Sequence, residues 1–339
     1  MDRGYIGTVP APTERDDESY LDFVEGVRVF NMTKVQPVMA KATAAAAPHD
    51  DLAATPIVAS RNRLYRSQQE MLWQGVLATY AKRKDELVAE LDRYDRLGPG
   101  SVTWDPNFPL PEYFSRVDYD LQPGGYAADP LAGYVYHLGT KYFFTGRNNR
   151  DDVQRNLVML APTPEDGQVR RILDLACSVG QSTTAWKERF PNAEVWGIDA
   201  GAPMVRYAHK RAVDMGIDVH FKQALAEQTG FANDSFDIVF AFILFHEVPR
   251  AVGERIIAEA HRILRPGGLF IVVDARNLPS GPASTAQQII WTFETNDNGE
   301  PYMAEFVYWD FTSALRACFR AVIDDFTEGS FLPMRVAQK

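Results

Sequence analysis

Short apolar runs alternate with amphipathic stretches through the second half of the chain. The runs have the length and apolar content of buried parallel strands, and the stretches between them have helical spacing. This alternation is typical of a largely parallel sheet that helices cover on both faces, so we expect an α/β fold. The runs predict strands at 171–175, 194–198, 219–222, 236–241 and 269–273.

The end of the chain has a different pattern. Two further runs, at 321–326 and 331–336, flank the pair Glu328-Gly329. Adjacent strands that are joined by a short turn pair in antiparallel fashion. We therefore expect a C-terminal antiparallel hairpin at the edge of the sheet.

The first half of the chain is mainly helical in its pattern. Apolar residues recur at helical spacing within 19–47 and 67–97, and Gly98-Pro99-Gly100 ends the second stretch. Residues 101–129 are rich in proline, glycine and aromatic residues, a composition that favours an ordered loop over a cleft. The sequence thus predicts a helical unit at 1–150 and an α/β unit at 151–339.

Composition and charge exclude several classes of protein. A net charge of −10 argues against a general nucleic-acid binder, because no basic field would recruit phosphates. The two cysteines, Cys177 and Cys318, cannot form a disulfide framework and suit a reducing compartment. No apolar run is long enough to span a bilayer and no signal-like segment begins the chain, so we expect a cytoplasmic protein.

One turn carries most of the chemical information. The first predicted strand leads into small residues, Ala176, Ser178 and Gly180, and a helix begins near Ser182. A strand, tight turn and helix of this kind form a ligand crevice, because small residues let a ligand approach the backbone. Asp174, at the end of the strand, can accept a hydrogen bond from an amine or a hydroxyl.

Other motifs follow this turn in a characteristic order. The second strand ends in Asp199, at the spacing expected for one helix and one strand after the turn. The turn and these motifs together resemble the UbiE-like, small-molecule branch of the class I S-adenosylmethionine-dependent methyltransferases. The further motifs that carry the resemblance are Ala226-Glu227, Ser235-Phe236-Asp237 and the run Arg262-Ile263-Leu264-Arg265-Pro266-Gly267-Gly268.

The resemblance implies a Rossmann-like, doubly wound sheet and S-adenosylmethionine as the cofactor. In this family the residue matched by Asp199 holds both ribose hydroxyls. Leu225 stands where an acidic partner of the adenine amine is usual, so Glu227 or backbone near Ala226 would have to replace that contact. The cofactor-binding residues that it implies are Asp174, Ala176, Ser178, Gly180, Ser182, Asp199, Ala200, Met204, Ala226, Glu227 and Phe242.

A dehydrogenase uses the same type of sheet and is the main competing interpretation. Its dinucleotide fingerprint needs three glycines, whereas this chain has Ala176, Ser178 and Gln181 at those positions. The third glycine lets helix and strand pack closely, and glutamine cannot replace it. The sequence therefore disfavours the dehydrogenase.

Catalytic and substrate-binding candidates come from two places. His246 and Glu247 follow the fourth strand at the ligand-binding edge of the sheet, and His has the ordinary pKa closest to neutrality. A group of aromatic and basic residues before the sheet could wall a substrate pocket, or could simply be packing. This group contains Tyr126, Tyr134, His137, Tyr142 and Arg147. The remaining histidines show no metal-ligand spacing, so we expect no metal site.

The sequence thus predicts methyl transfer from S-adenosylmethionine to a small molecule, with the O, C, N or S nucleophile left open. The alternatives are an enzyme that uses the same cofactor for another step, such as cyclisation, and a non-catalytic protein that binds it. We expect the helical unit to cap the cleft and select the substrate. Its stripes at 19–47 and 67–97 also offer a surface for a homodimer.

Overall fold

An eight-stranded sheet organises the chain. The computed structural model describes residues 12, 14–44, 52, 55–277, 284–325 and 332–339. The spatial order of strands is β1-β4-β3-β2-β5-β6-β8-β7, and the neighbours from β1 to β6 are parallel. The strands are β1 Ser101–Thr103, β2 Arg171–Leu175, β3 Glu194–Asp199, β4 His220–Gln223, β5 Phe236–Phe242, β6 Leu264–Val273, β7 Ala321–Asp325 and β8 Met334–Gln338.

The predicted α/β fold is confirmed, with β2 at the centre of the sheet. β2 pairs with β3 on one side and with β5 on the other, and its residues from Ile172 to Leu175 are buried. Helices cover both faces, so the central strands β2 and β5 are buried along nearly their whole length rather than at alternate residues. Because these strands are parallel, the turns after β2, β3 and β5 meet at one edge of the sheet.

Helices surround the sheet and form a layered N-terminal region. A π-helical segment, Asn31–Val35, joins the first two helices. The helices are α1 Arg15–Phe30, α2 Gln36–Thr43, α3 Pro56–Ala81, α4 Lys84–Tyr94, α5 Glu112–Ser115, α6 Ala132–Phe143, α7 Asp152–Leu160, α8 Gln181–Arg189, α9 Ala202–Asp214, α10 Arg250–Ile263, α11 Thr285–Asp297, α12 Met303–Val307 and α13 Phe311–Cys318. In the described residues, no helix is both long and apolar enough to cross a membrane.

The helix predicted at 67–97 is wrong in its extent. Two helices occupy this region: α3 begins at Pro56, and a break between Ala81 and Lys84 separates it from α4. In the part of α3 before residue 67, the buried position 61 carries an arginine. A polar residue at a buried position interrupts the apolar spacing by which a helix is recognised, so the sequence pattern did not show the start of α3.

Residues 101–129 contain more than the predicted loop, because β1 pairs in parallel with β4 at one edge of the sheet. At the other edge, the predicted hairpin is confirmed: β7 and β8 are antiparallel, and β8 also pairs with β6. The predicted turn at Glu328-Gly329 and the last three residues of the predicted helical stretch at 19–47 lie outside the described residues.

The N-terminal helices share a core with the second half of the chain. Tyr134 of α6 packs against Tyr207 of α9, with ring centroids 4.3 Å apart. Met204 and Val179 belong to the same apolar cluster as residues of α1, α3 and α4. The boundary near residue 150 remains a prediction, and the two parts are packed together.

Candidate active site

A cavity opens where the turns after β2, β3 and β5 meet. Ala176 and Ser178 line it from the first turn, Asp199 from the second and Glu247 from the third. Most of the predicted cofactor residues lie in its lining. These are Ala176, Ser178, Ser182, Asp199, Ala200, Met204, Ala226, Glu227 and Phe242.

The turn after β2 has the left-handed backbone conformation that glycine favours, although two of the three positions carry other residues. Ala176 and Ser178 have φ values of 51° and 50°, and Gly180 has a φ of 74°. Residues with a Cβ adopt this left-handed region at a cost of about 1–2 kcal/mol each. The sequence therefore maintains a strained turn at the cavity, a situation common at functional sites.

Asp199 holds the next turn in place and still faces the cavity. Its Oδ2 accepts a hydrogen bond from the backbone N–H of Ser178 at 3.0 Å, and its Oδ1 accepts one from Gly201 at 2.8 Å. Burial raises the pKa of Asp199 to about 6. Each carboxylate oxygen of Asp199 can accept a further hydrogen bond, so the two oxygens together could bind the two hydroxyls of a vicinal diol.

Asp174 and Gly180 are not among the cavity-lining residues. The carboxylate of Asp174 is fully buried and accepts hydrogen bonds from the hydroxyls of Ser182 and Thr183, at 2.7 and 2.6 Å. A Cβ on Gly180 would lie 2.8 Å from the ring of Phe221, so this glycine permits close packing. In this structure, both residues support the turn rather than line the cavity.

His246 forms a buried pair with Asp274, which follows β6. Its Nδ1 lies 2.5 Å from Asp274 Oδ1, while Asp274 Oδ2 accepts from the backbone N–H groups of Leu244 and Phe245. Burial lowers the pKa of His246, but the Asp274 carboxylate outweighs this effect and raises it to about 9. The pair therefore fixes the ring and leaves Nε2 directed away from Asp274.

Glu247 connects this pair with the cavity. Burial raises its pKa above the usual range, and the neighbouring carboxylates add to the effect. An aromatic wall lies beside Glu247 in the cavity lining, and Tyr119 and Tyr126 are stacked with centroids 5.2 Å apart. The wall consists of Tyr113, Phe114, Tyr119, Tyr126 and Tyr136.

The comparisons with known proteins decide the class of this site. Residues 172–268 match a family described as a methyltransferase domain. This range begins in β2 and ends in β6, so it contains the three turns that form the cavity. This part of the chain is therefore similar to a methyltransferase domain.

Relatives confirm the resemblance to the UbiE-like branch. A demethylmenaquinone methyltransferase of Thermus thermophilus is 37% identical over 115 residues, which are 33% of this chain and 50% of that protein. A ubiquinone/menaquinone biosynthesis C-methyltransferase UbiE of Ralstonia pickettii is 31% identical, over 48% of this chain and 64% of its own. The chain spans about half the length of several curated relatives that it matches.

A solved structure also supports the fold over nearly the whole chain. An O-methyltransferase family protein from Burkholderia thailandensis aligns with 97% of this chain and 99% of its own, with a TM-score of 0.51 and 15% identity. At this identity the likeness concerns the fold alone.

The methyltransferase domain confirms S-adenosylmethionine as the expected cofactor, and the residues of the cavity fit it. Asp199 offers two acceptors for the ribose hydroxyls. Gln154, which the sequence analysis missed, lines the cavity and has a buried Oε1 with no hydrogen-bond partner in the protein. An acceptor in this state suits the ammonium group at the methionyl end of the cofactor.

Most of the residues predicted to bind substrate lie elsewhere. Tyr126 lines the cavity, whereas Tyr134, His137 and Tyr142 are buried in the packing between helices, and Arg147 is exposed. None of these last four residues is in the lining of the cavity. Tyr134 and His137 lie one turn apart on α6 and both contact Tyr207 of α9, so this face of the helix packs against α9 and not against the cavity.

The fold also brings together a cluster that sequence spacing could not indicate. His246, Glu247 and Glu300 have potential ligand atoms within 4.8 Å of one another, and Nε2 of His246 lies 4.0 Å from Oε2 of Glu300. Burial and the nearby carboxylates of Asp120 and Glu247 raise the pKa of Glu300 well above its usual range. A retained proton relieves this crowding of charge, so the geometry does not by itself require a metal ion.

Proposed function

We propose that this protein transfers a methyl group from S-adenosylmethionine to a small acceptor that enters the cavity uncharged or positively charged. The observation that carries the proposal is the position of Asp199 and Glu247 in the lining of one cavity, at the turns after β3 and β5, which lie on either side of β2. S-adenosylmethionine, when bound, supplies an electrophilic methyl group on a sulfonium centre.

The charges of the cavity define which acceptors it favours. Its lining contains the carboxyl groups of Asp199, Glu227 and Glu247 and, among the described residues, no lysine, arginine or histidine. The segments outside the described residues add only Arg3 and His49 as basic residues. A phosphate or carboxylate beside the reacting atom would therefore be buried without a counter-charge, which is costly.

His246 and Glu247 provide the acid–base chemistry. We assign the general base to His246, because Asp274 fixes its ring and leaves Nε2 to accept a proton. Glu247, which lines the cavity, orients the acceptor. The acceptor forms its bond to the methyl carbon as the carbon–sulfur bond breaks. Its proton passes first to the carboxyl group of Glu247, which lines the cavity, and from there to His246, whose ring nitrogen lies within 4.8 Å of that carboxyl group.

The N-terminal helices contribute Tyr113, Phe114, Tyr119 and Tyr126 from the segment between α4 and α6. These side chains wall the cavity at the side of Glu247, and we propose that they select the acceptor by its shape and by contact with its flat or cationic face. This assigns the role of substrate selection to the helical unit.

A homodimer and a cytoplasmic location are also part of the proposal. The predicted dimer stripes are unsuitable, because Leu21, Val24 and Leu72 lie in the protein's own core. Phe23 and Phe30 are instead exposed on another face of α1, at 61% and 54%. Replacing both with serine should lower the sedimentation coefficient if this face joins two copies.

The proposed cytoplasmic location is supported by the two free cysteines, which suit a reducing compartment.

The activity is tested with methyl-labelled S-adenosylmethionine and acceptor pools separated by charge. Phenols, alcohols and amines are sorted into uncharged, cationic and anionic pools before incubation with the full chain. We expect label in the uncharged or cationic pool. Label confined to the anionic pool would contradict the acceptor class, and absence of transfer to every pool would contradict the function.

A further inference from the structure

A buried carboxylate connects the N-terminal helices with the cofactor turn. Asp151 immediately precedes α7 and is 1% exposed. It lies where α6, α7, α8 and α9 approach one another, because its side-chain partners come from α6, α8 and α9 and it occupies the position just before α7. Nothing in the motif pattern of the sequence indicates this role.

The partners from the N-terminal side belong to α6. Lys141 Nζ donates to Asp151 Oδ1 at 2.9 Å, and His137 Nε2 lies 3.8 Å from the same oxygen. Lys141 and His137 are both fully buried. The ion pair therefore lies in the interior, where removal of one partner leaves the other charge without compensation.

The partners from the other side hold the turn after β2. Gln181 Nε2, at the start of α8, donates to Asp151 Oδ1 at 2.5 Å. Arg211 of α9 donates to Asp151 Oδ2 through Nη2 and to the backbone carbonyl of Val179 through Nη1, the second contact at 2.7 Å. Val179 and Gln181 flank Gly180, so both contacts fix the cofactor turn.

The same contacts orient the amide of Gln181 within the cavity lining. Because its Nε2 donates to Asp151, its Oε1 is left to accept from Gln154 Nε2, at 3.2 Å. Gln154 in turn presents its free Oε1 at the cavity. A chain of fixed amides thus runs from Asp151 to the place where the methionyl end of the cofactor would lie.

We propose that Asp151 is a positioning residue that couples the N-terminal helices to cofactor binding, by holding Lys141 on one side and Gln181 and Arg211 on the other. The inference rests on the proposed function, since it concerns the same cofactor. It assigns to α6 an influence on the cofactor site in addition to that of Tyr136, the α6 side chain in the cavity lining.

The test measures the affinity for S-adenosylhomocysteine by calorimetry in the full chain. Asp151→Asn removes the charge but keeps the shape, and asparagine tolerates the φ of 57° at this position. We expect the dissociation constant to rise at least tenfold. Asp152→Asn, at an exposed neighbouring position, is the matched control and should bind as the wild type does.

Loss of stability alone must not produce the same result. Leu315→Ala removes a buried side chain from α13 and should lower the melting temperature without changing the affinity. Lys141→Gln removes the cation that α6 supplies to Asp151, together with the bond of Lys141 Nζ to the backbone carbonyl of Asn148, and should also weaken binding. This keeps the test decisive if Asp151→Asn does not fold.

Wild-type affinity in folded Asp151→Asn, or in Lys141→Gln when the first variant does not fold, would overturn the inference. Failure of the wild-type protein to bind S-adenosylhomocysteine would instead contradict the proposed function. The two failures are therefore distinguishable. Partial recovery of affinity in Asp151→Glu would support the role of the charge.

Discussion

At the scale of single residues, the turn after β2 combines a functional shape with an unusual sequence. Ala176 and Ser178 both adopt left-handed backbone conformations that glycine would adopt without a steric cost. The resemblance identified these two positions as departures from the motif, but the sequence could not show that the backbone conformation is kept despite them.

Glycine at position 176 should stabilise the protein. Relief of the left-handed strain outweighs the greater backbone entropy that glycine has in the unfolded chain, so Ala176→Gly should raise the free energy of unfolding by about 0.5–1 kcal/mol. Ala251→Gly, on the exposed side of α10, is the control and should lower it by about 1 kcal/mol. Urea denaturation of both variants measures the difference, and a loss of stability in Ala176→Gly would contradict the strain.

The rate of methyl transfer should depend on the ionisation of His246. A general base must be neutral, and Asp274 raises the pKa of His246 to about 9, so kcat/KM should rise with pH until about that value. Asp274→Asn removes the main cause of the increase, and burial then lowers the pKa. The acidic limb of the pH profile should therefore move to lower pH in this variant.

If the acidic limb of the pH profile of kcat/KM stays at the same pH in Asp274→Asn, a group other than His246 titrates there. His246→Ala provides the second comparison: turnover should fall at least a hundredfold, within the usual contribution of a general base. The affinity for S-adenosylhomocysteine should stay the same, because His246 is not in the cavity lining. Full activity in this variant would remove His246 as the base.

At the scale of elements, α6 is the helix on which the two parts of the protein meet. A Cβ on Gly139 would lie 2.0 Å from Cζ3 of Trp73 in α3, and one on Gly133 would lie 2.5 Å from Cβ of Tyr207 in α9. The two glycines thus allow α6 to approach a neighbouring helix on each side. Close approach explains why a helix with two glycines is stable here despite their low propensity.

Alanine at position 139 should separate α6 from α3. The added methyl group overlaps Trp73 within a packed core, so Gly139→Ala should lower the free energy of unfolding by about 1–3 kcal/mol. Gly26→Ala in α1 is the matched control, because a Cβ there meets nothing within 4 Å. That change should raise the stability by about 1 kcal/mol through helix propensity alone. Thermal unfolding measures both variants. Equal changes in stability for Gly139→Ala and Gly26→Ala would contradict the close packing of α6 against Trp73.

The elements of the sheet were predictable, whereas those of the helical part were less so. β2 begins and ends as expected, because a strand buried on both faces gives a continuous apolar run. The start of α3 was not predictable, because the polar residue Arg61 occupies a buried position in its first turns. α11 was also missed, although Ser284 and Gln287 form a capping box at its start.

At the scale of the whole molecule, the cavity lies between parts of the chain that are distant in sequence. The motifs indicated Asp199, Ala200 and Met204, since these follow one strand directly. They gave no sign of Gln154 or Glu300, because only the packing of α7 and of the segment before α12 brings these residues to the site. Four of the five residues predicted to bind substrate lie outside the lining for the same reason.

The central claim is that the cavity binds S-adenosylmethionine through Asp199, and a calorimetric titration with S-adenosylhomocysteine tests it most directly. We expect one binding site in the wild-type protein, affinity at least tenfold weaker in Asp199→Ala, and wild-type affinity in Asp218→Ala, which changes an exposed aspartate. No binding by the wild type, or equal affinity in Asp199→Ala, would contradict the claim.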